Sequence, residues 1–493
     1  MGTSRTSPKP FSTRTPSPRA THRTVPKSLF DIEALQYIKD DRTRKHGEQC
    51  EVIIGFDFGT STTKVIIQAP DLQGSPGFAV DFGRFSHPNH PHFLPSRIWI
   101  TSDDRYSLEP VSESRRIGDL KLNLFSKPGL WPDNRPGRNL GGNPVAAATA
   151  FLALGLRYSR QWLLKMKHDL FGYFDQIVWS VNLGVPSPCV EDNPEQVLFR
   201  QVGQAAWMLS TQPHNKLTLN RIVAELEQAR EPDYWDETNH QACDFEIIPE
   251  IAAGAVGYAM SDLRREGLHL MIDVGASTVD VCSFVLHAPE GSDRYSLLIA
   301  DVRMVGALRV HFERIIALQK MIDVQALRLC DEHDPSEPFS ESVEPYLPCV
   351  NAMRAEMKEA EARLEGECRS IIRRVIWLTK LRRDPNASVW KKARLPILLI
   401  GGGCRLPFYA NVLTHLNTWL QSYVQNHGAQ FLEVPVPESL RQRMTGYHRM
   451  VVAWGLSHRA LDIGDITPAD KIEDVEPLDF ETKVPDYIGK EQV

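Results

Sequence analysis

Two stretches of the chain carry an aspartate, a glycine and several hydroxyl side chains at matching spacing. The first is Asp57-Phe58-Gly59-Thr60-Ser61-Thr62-Thr63-Lys64, and the second is Asp273-Val274-Gly275-Ala276-Ser277-Thr278-Val279-Asp280. Each lies between apolar, β-branched runs and reads as strand, tight turn, strand. Such a turn points successive backbone N–H groups into one concavity, and phosphate is the usual guest of such nests. Gly59 and Gly275 let the backbone approach the anion closely. Thr60, Ser61, Thr62, Thr63, Ser277 and Thr278 add hydroxyl donors without adding charge. Asp57 and Asp273 can hold Mg²⁺ through water. The leading aspartates are 216 positions apart, far beyond a solenoid period, so the repeat points to two related halves. Two such clamps facing each other would grip a polyphosphate tail from both sides. A third stretch, Leu398-Leu399-Ile400-Gly401-Gly402-Gly403-Cys404-Arg405-Leu406-Pro407, is a buried strand ending in three glycines. Gly401 and Gly402 leave room for a flat ligand, and Arg405 can lay its guanidinium plane on an aromatic base.

The elements that must position these turns follow from periodicity. Helices are predicted over 144–169, 196–209, 352–381, 408–424 and 446–460. Strands are predicted over 176–185, ending at Pro186, and over 395–400. The stretch 246–260 starts as a strand and continues as an Ala/Gly-rich helix. This alternation argues an α/β fold. Residues 1–28 hold six basic residues, no acid and five prolines, so they are expected to be a disordered tail. A helical extension over 29–48 follows, with an apolar stripe of Leu29, Ile32, Leu35 and Ile38. The main units are expected at 49–260 and 261–460, with an acidic tail over 461–493.

The 493 residues are 42% hydrophobic and 24% charged, which excludes a largely disordered chain. A net charge of −6 gives no global field for a polynucleotide, so no specific nucleic acid is expected as a partner. Eight cysteines are scattered singly, which reads as a reducing, cytoplasmic setting. No apolar run approaches the ~18–20 residues of a membrane helix, so no membrane partner is expected. P-loop, dinucleotide-fold, zincin and nucleophile-elbow motifs are all missing. His87, His90 and His92 crowd a Pro-rich stretch with no Cys or clustered acid beside them, and read as a solvent loop.

The three turns, in this order, resemble the phosphate-1, phosphate-2 and adenosine motifs of the actin, sugar-kinase and 70-kDa heat-shock superfamily. Two further stretches resemble the heat-shock branch. Glu246-Ile247-Ile248-Pro249-Glu250-Ile251 leads into an alanine-rich helix ending at Tyr258, and the strand from Val181 ends in Val185-Pro186. The resemblance spans about 51–460. It implies a two-lobed, actin-like ATPase fold of duplicated ribonuclease H-like domains around a central cleft. It also implies ATP/ADP and Mg²⁺ as cofactors. By the resemblance, Asp57 and Asp273 hold the metal, while Thr60 and Ser61 meet the β- and γ-phosphates. Glu250 stands near the attacking water, Thr278 and Asp280 belong to the second clamp, and Gly401, Gly402 and Arg405 form the adenosine turn. Lys121 stands where the family's catalytic lysine is expected, and Pro186 matches a proline that relays nucleotide state. Glu361, Glu365 or Arg369 could meet the ribose. Ala276 and Ser277 replace glycines of the family, and Gly403-Cys404 replaces Ser-Thr. Fewer than forty residues follow Ala460, too few for the family's peptide-binding sandwich of ~100 residues. The implied function is a slow, Mg²⁺-dependent ATPase switch whose lobe rotation is read by a protein partner. An actin-like filament former, a small-molecule kinase and a nucleotide-binding pseudo-ATPase are the alternatives.

Overall fold

The computed structural model describes residues 49–475, except 88–89, 125–142, 173, 175, 187–193, 212–216, 239–242, 288–293, 320–353, 392 and 443. The predicted tail over 1–28, the extension over 29–48 and the stretch 476–493 lie outside the described residues.

The first hairpin forms as its sequence dictates. Strand β1 (Gln49–Asp57) and β2 (Thr62–Gln68) pair antiparallel, with Asp57 opposite Lys64 at the turn. Strands β3 (Gly77–Ala79) and β4 (Leu94–Pro95) both pair with β2. A small sheet of β5 (Ile98–Ile100), β6 (Tyr106–Ser107) and β7 (Arg115–Ile117) follows, which the sequence pattern did not reveal. Helix α1 (Pro144–Met166) starts with Pro144 at its first position, and its cap Asn143 accepts the Ala146 N–H at 3.1 Å. Strand β8 (Gln176–Val185) lies parallel to β1, α2 (Pro194–Thr211) follows, and β9 (Asp244–Pro249) lies parallel to β8. The sheet runs in the order β3-β2-β1-β8-β9. Val52, Ile53 and Ile54 are all fully buried, as expected for a sheet covered on both faces.

The chain then repeats the pattern. Helix α3 (Glu250–Ala259) leads to β10 (Gly267–Val274) and β11 (Val279–Leu286), an antiparallel hairpin with Asp273 opposite Asp280. Strand β12 (Arg294–Arg303) pairs antiparallel with β11. Helices α4 (Ala307–Gln319) and α5 (Arg354–Leu378) precede β13 (Leu395–Ile400), which is parallel to β10. Helix α6 (Pro407–Trp419) then leads to β14 (Ala429–Leu432), parallel to β13. Read from its third strand, this sheet runs β12-β11-β10-β13-β14, the same order and the same strand senses as the first. The fold is mixed α/β built on two mixed sheets of matching topology, as the 216-residue repeat suggested.

Packing alternates with side-chain parity along β10. Leu268, Leu270, Ile272 and Val274 join one core cluster with residues of α5 and α6, whereas Met271 faces another. That second cluster lies between the sheets and holds α3, α7 (Val451–Leu456), Ile66 of β2 and Ile400 of β13. Helices α1 and α2 cover the outer face of the first sheet.

Two differences from the sequence reading concern the end of the chain. The predicted helix over 446–460 is broken: a short turn over Tyr447–Arg449 precedes an α-helix over Val451–Leu456, and a separate short α-helix begins at Ala460. This segment returns to the first sheet although sequence order puts it with the second. Asn182 Nδ2 of β8 donates to the carbonyls of Leu456 at 2.7 Å and His458 at 2.8 Å. Arg459 pairs with Glu51 at 2.6 Å and Asp71 at 2.7 Å. Glycines permit the close approach: a Cβ on Gly55 would strike the Ala453 carbonyl, and one on Gly455 would strike that of Ala253. The predicted acidic tail begins as β15 (Asp465–Thr467), an edge strand parallel to β12.

Candidate functional site

Both hairpin turns open on one cavity of about 310 Å³. Its lining contains Asp57, Gly59, Thr60, Ser61 and Thr62 of the first turn, and Asp273, Gly275, Ala276 and Thr278 of the second. Asp280 of the second clamp, Gly401 and Gly402 of the third turn, and Lys121 and Glu250 complete the predicted set found there. Residues up to 345 positions apart in sequence thus share one wall-to-wall space.

Local structure explains each placement. Gly59 is required because a Cβ there would collide with the Thr62 carbonyl. The first turn is braced from outside: Ser96 Oγ donates to the Gly59 carbonyl at 2.6 Å, and the Ser96 N–H donates to the Ser61 carbonyl at 2.9 Å. In the second turn the carbonyls of Gly275, Ala276 and Ser277 accept N–H groups from Ala307, Leu308 and Gly306, at 3.0, 2.7 and 2.9 Å. With its carbonyls turned away to the start of α4, the turn leaves its other edge toward the cavity. Gly401 has φ +82°, and a Cβ there would strike Asp273 Oδ1.

Lys121 and Glu250 form the tightest contact of the site. Lys121 Nζ lies 2.6 Å from Glu250 Oε1, and the side chains are 7% and 9% exposed. Burial works to lower the lysine's basicity, but Glu250 and then Asp57 outweigh it and keep the ammonium charged. Glu250 itself is raised above the usual carboxylate range by burial, against the pull of Lys121. Glu250 opens α3, where a carboxylate is favoured by the helix dipole.

The second turn concentrates acid. Asp273 is pushed up to about 7, first by burial and then by Glu250 and Asp57. Asp280 is raised well above the carboxylate range by burial and by Asp273, and its Oδ1 has no hydrogen-bond partner among the described residues. Four carboxylates (Asp57, Glu250, Asp273, Asp280) thus face three cations (Lys64, Lys121, Arg449) around the cavity. This surplus, with the orphaned Asp280 oxygen, fits a divalent cation held through its water shell. Direct chelation fits less well: among the described residues no group of three or more His, Cys, Asp or Glu is placed to hold a metal.

Several predicted residues lie elsewhere. Ser277 is 1% exposed, is absent from the cavity lining, and its buried Oγ has no partner among the described residues, so its hydroxyl does not face the space between the turns. Thr63 is likewise buried outside the lining, its hydroxyl 3.0 Å from Ser96 Oγ. Arg405 points outward, 54% exposed and 2.6 Å from Glu433. Glu361 is paired with Arg314 at 2.7 Å, and Glu365 with His415 at 2.9 Å and Arg369 at 3.9 Å. None of Glu361, Glu365 and Arg369 lines the cavity.

Other lining residues escaped the sequence reading. His87 and His90 are not in a solvent loop. Both line the cavity, His87 is 9% exposed, and their rings lie 5.6 Å apart. His92 is turned away, with Nδ1 3.0 Å from the Val80 carbonyl. Lys64 lines the cavity and binds Asp57 at 3.0 Å. Its register opposite Asp57 was visible in the sequence as the counterpart of Asp280, and that was the one available signal. Arg449 and His448 also reach the cavity, from the turn before α7, and nothing local in the sequence marks them.

Among the described residues no helix is long and apolar enough to cross a membrane. No protein-family model matches the chain, and a search of curated proteins returns no match.

Proposed function

We propose that this chain is a Mg²⁺-dependent, ATP-binding protein of two-lobed, actin-like architecture, a slow ATPase whose lobe movement is read by a protein partner. The observation that carries the reading is the facing pair of equivalent turns. Two sheets of the same strand order each present the turn between their first two strands to one cavity, and each turn brings an aspartate, Asp57 or Asp273. The order 3-2-1-4-5, with the first three strands antiparallel and the rest parallel, supports duplicated ribonuclease H-like halves. The sequence resemblance to the heat-shock ATPases adds the identity of the ligand.

In this reading the phosphates lie between the Gly59–Thr62 and Gly275–Thr278 turns, with the nucleoside toward Gly401 and Gly402. Magnesium, when bound near Asp57 and Asp273, supplies neutralisation of phosphate charge. Water attacks the terminal phosphorus, the bond to the bridging oxygen breaks, and ADP leaves with the electron pair. The raised basicity of Glu250 suits a carboxylate that orients that water and takes its proton. Lys121 holds the Glu250 carboxylate in place and brings positive charge to the transferring group. The Thr278 hydroxyl donates without adding charge. Positioning and electrostatics would supply most of the acceleration.

The test measures ATP binding and turnover for the wild type, Asp57→Asn, Asp273→Asn and Lys121→Ala. Binding with slow, Mg²⁺-dependent turnover is expected, and each variant should lower turnover by roughly 10²–10³. Binding without turnover would make the protein a nucleotide sensor, and no binding would remove the reading.

A further inference from the structure

Three cations line the cavity, and two of them are neutralised. Lys64 is 3.0 Å from Asp57, and Lys121 is 2.6 Å from Glu250. Arg449 differs: no carboxylate of the described residues lies within 4.0 Å of its guanidinium. Among the described residues the guanidinium makes one hydrogen bond, from Nη2 to the neutral Thr62 Oγ1, at 3.2 Å. A guanidinium carries five N–H donors, so most are left for something else.

The side chain is nevertheless held in place. Its guanidinium carbon sits 3.9 Å from the centroid of the Phe93 ring, which covers one face. Gly402 makes room beside the stem, where a Cβ would come within 3.1 Å of Nε. Thr62 belongs to the first phosphate turn and Gly402 to the third, so Arg449 spans two of the three predicted turns. Burial is felt by the charge and lowers its pKa to about 10, only partly opposed by Asp57. A fixed, half-buried cation without a counter-ion is unfavourable in the isolated protein. A ligand that brings the negative charge relieves that cost.

We infer that Arg449 is an anion receptor of the cavity, donating its free N–H pair to phosphate oxygens of the bound ligand. The inference rests on the nucleotide reading for the identity of that ligand. The planar fork suits two parallel bonds to one phosphate group, which a lysine ammonium cannot reproduce. The division of labour is then explicit. Lys64 and Lys121 are engaged by carboxylates and tune them, while Arg449 meets the anion directly.

The experiment is calorimetric titration of the full chain, in Mg²⁺ buffer, with adenosine, ADP, ATP and inorganic tripolyphosphate. Arg449→Gln is expected to weaken ADP, ATP and tripolyphosphate by roughly 10–100-fold, as for a lost charge-assisted contact, and to leave adenosine within about threefold. Unchanged polyphosphate affinity in Arg449→Gln overturns the inference, and so does a loss of adenosine in equal proportion, which marks general damage. Should Arg449→Gln not fold, Arg449→Lys carries the test: a loss of at least about threefold confined to the phosphorylated ligands is expected from the missing fork. Unchanged affinities, or an adenosine loss of equal size, overturn the inference there too. Failure of the nucleotide reading looks different. A wild type that binds tripolyphosphate but neither adenosine nor ATP removes the nucleotide and keeps the anion receptor, provided Arg449→Gln abolishes that binding. A wild type that binds none of the four overturns both.

Discussion

Lys121 and Glu250 are 129 residues apart in sequence, yet they form the most buried ion pair of the cavity. Removing one member leaves the other charge largely buried and unpaired at the cavity wall. Lys121→Ala should therefore destabilise the fold by about 3–5 kcal/mol, while Lys121→Met combined with Glu250→Leu should cost less than either single change. Urea unfolding of the three variants checks this, and an equal cost for all three would contradict the buried-pair account. Asp273 gives a second residue-scale prediction. Its pKa is raised in the folded state to about 7, from an unfolded value near 3.8. The stability it contributes is fully present below the unfolded value and is lost as pH rises through about 7. Asp280, raised in the same direction, acts alike. The ligand-free protein should melt at a lower temperature at pH 8 than at pH 5, Asp273→Asn should flatten that slope, and Mg²⁺ should oppose it. A melting temperature that rises from pH 5 to pH 8 in the ligand-free protein would reverse the sign and contradict the assignment.

The hairpin is the element that brings most of the candidate residues to the cavity, and its reading from sequence depended on locality. Asp57 and Asp273, their glycines and their hydroxyls sit within single turns, so spacing alone exposed them. Glu250 was marked only by the resemblance to the heat-shock branch, and the structure puts it at the start of α3, directly after β9. His87, His90 and Arg449 were not, because their place at the cavity depends on pairings far along the chain. Ser277 shows the opposite failure: a hydroxyl in a turn was taken for a donor to the ligand, but the start of α4 packs over it. The adenosine-type turn yields a test of the elements together. Gly401 holds φ +82° beside the Asp273 carboxylate, so Gly401→Ala meets both backbone strain and that side chain. We expect a stability loss of about 1–2 kcal/mol from the left-handed conformation. We also expect a larger loss of Mg²⁺-dependent ligand binding, because Asp273 must move. Chemical denaturation paired with titration separates the two effects, and intact binding would show that the carboxylate tolerates the displacement.

At the scale of the whole molecule, the cavity lies between two sheets that share one intervening core of α3 and α7. If bound nucleotide draws the two turns together, the sheets close as bodies about the segments that join them. Small-angle scattering should then show a smaller radius of gyration with Mg²⁺ and ATP than without, and an unchanged radius would remove lobe movement as the signal to a partner. The returning segment is a second point of leverage. Asn182 caps the carbonyls of Leu456 and His458 in a buried setting, so Asn182→Ala leaves two acceptors unsatisfied. A loss of about 2–6 kcal/mol is expected in equilibrium unfolding, at 1–3 kcal/mol per buried group.

That returning segment also orders events in time. Arg459 closes against Glu51 across 408 residues, and α7 lies so close to β1 that a Cβ on Gly55 would strike the Ala453 carbonyl. During synthesis at 5–20 residues per second, β1 therefore waits roughly 20–80 s for this partner to follow it out of the ribosome. Over that interval the nascent β1 lacks the contacts that α7 supplies, and the first sheet closes only after nearly the whole described chain has been made.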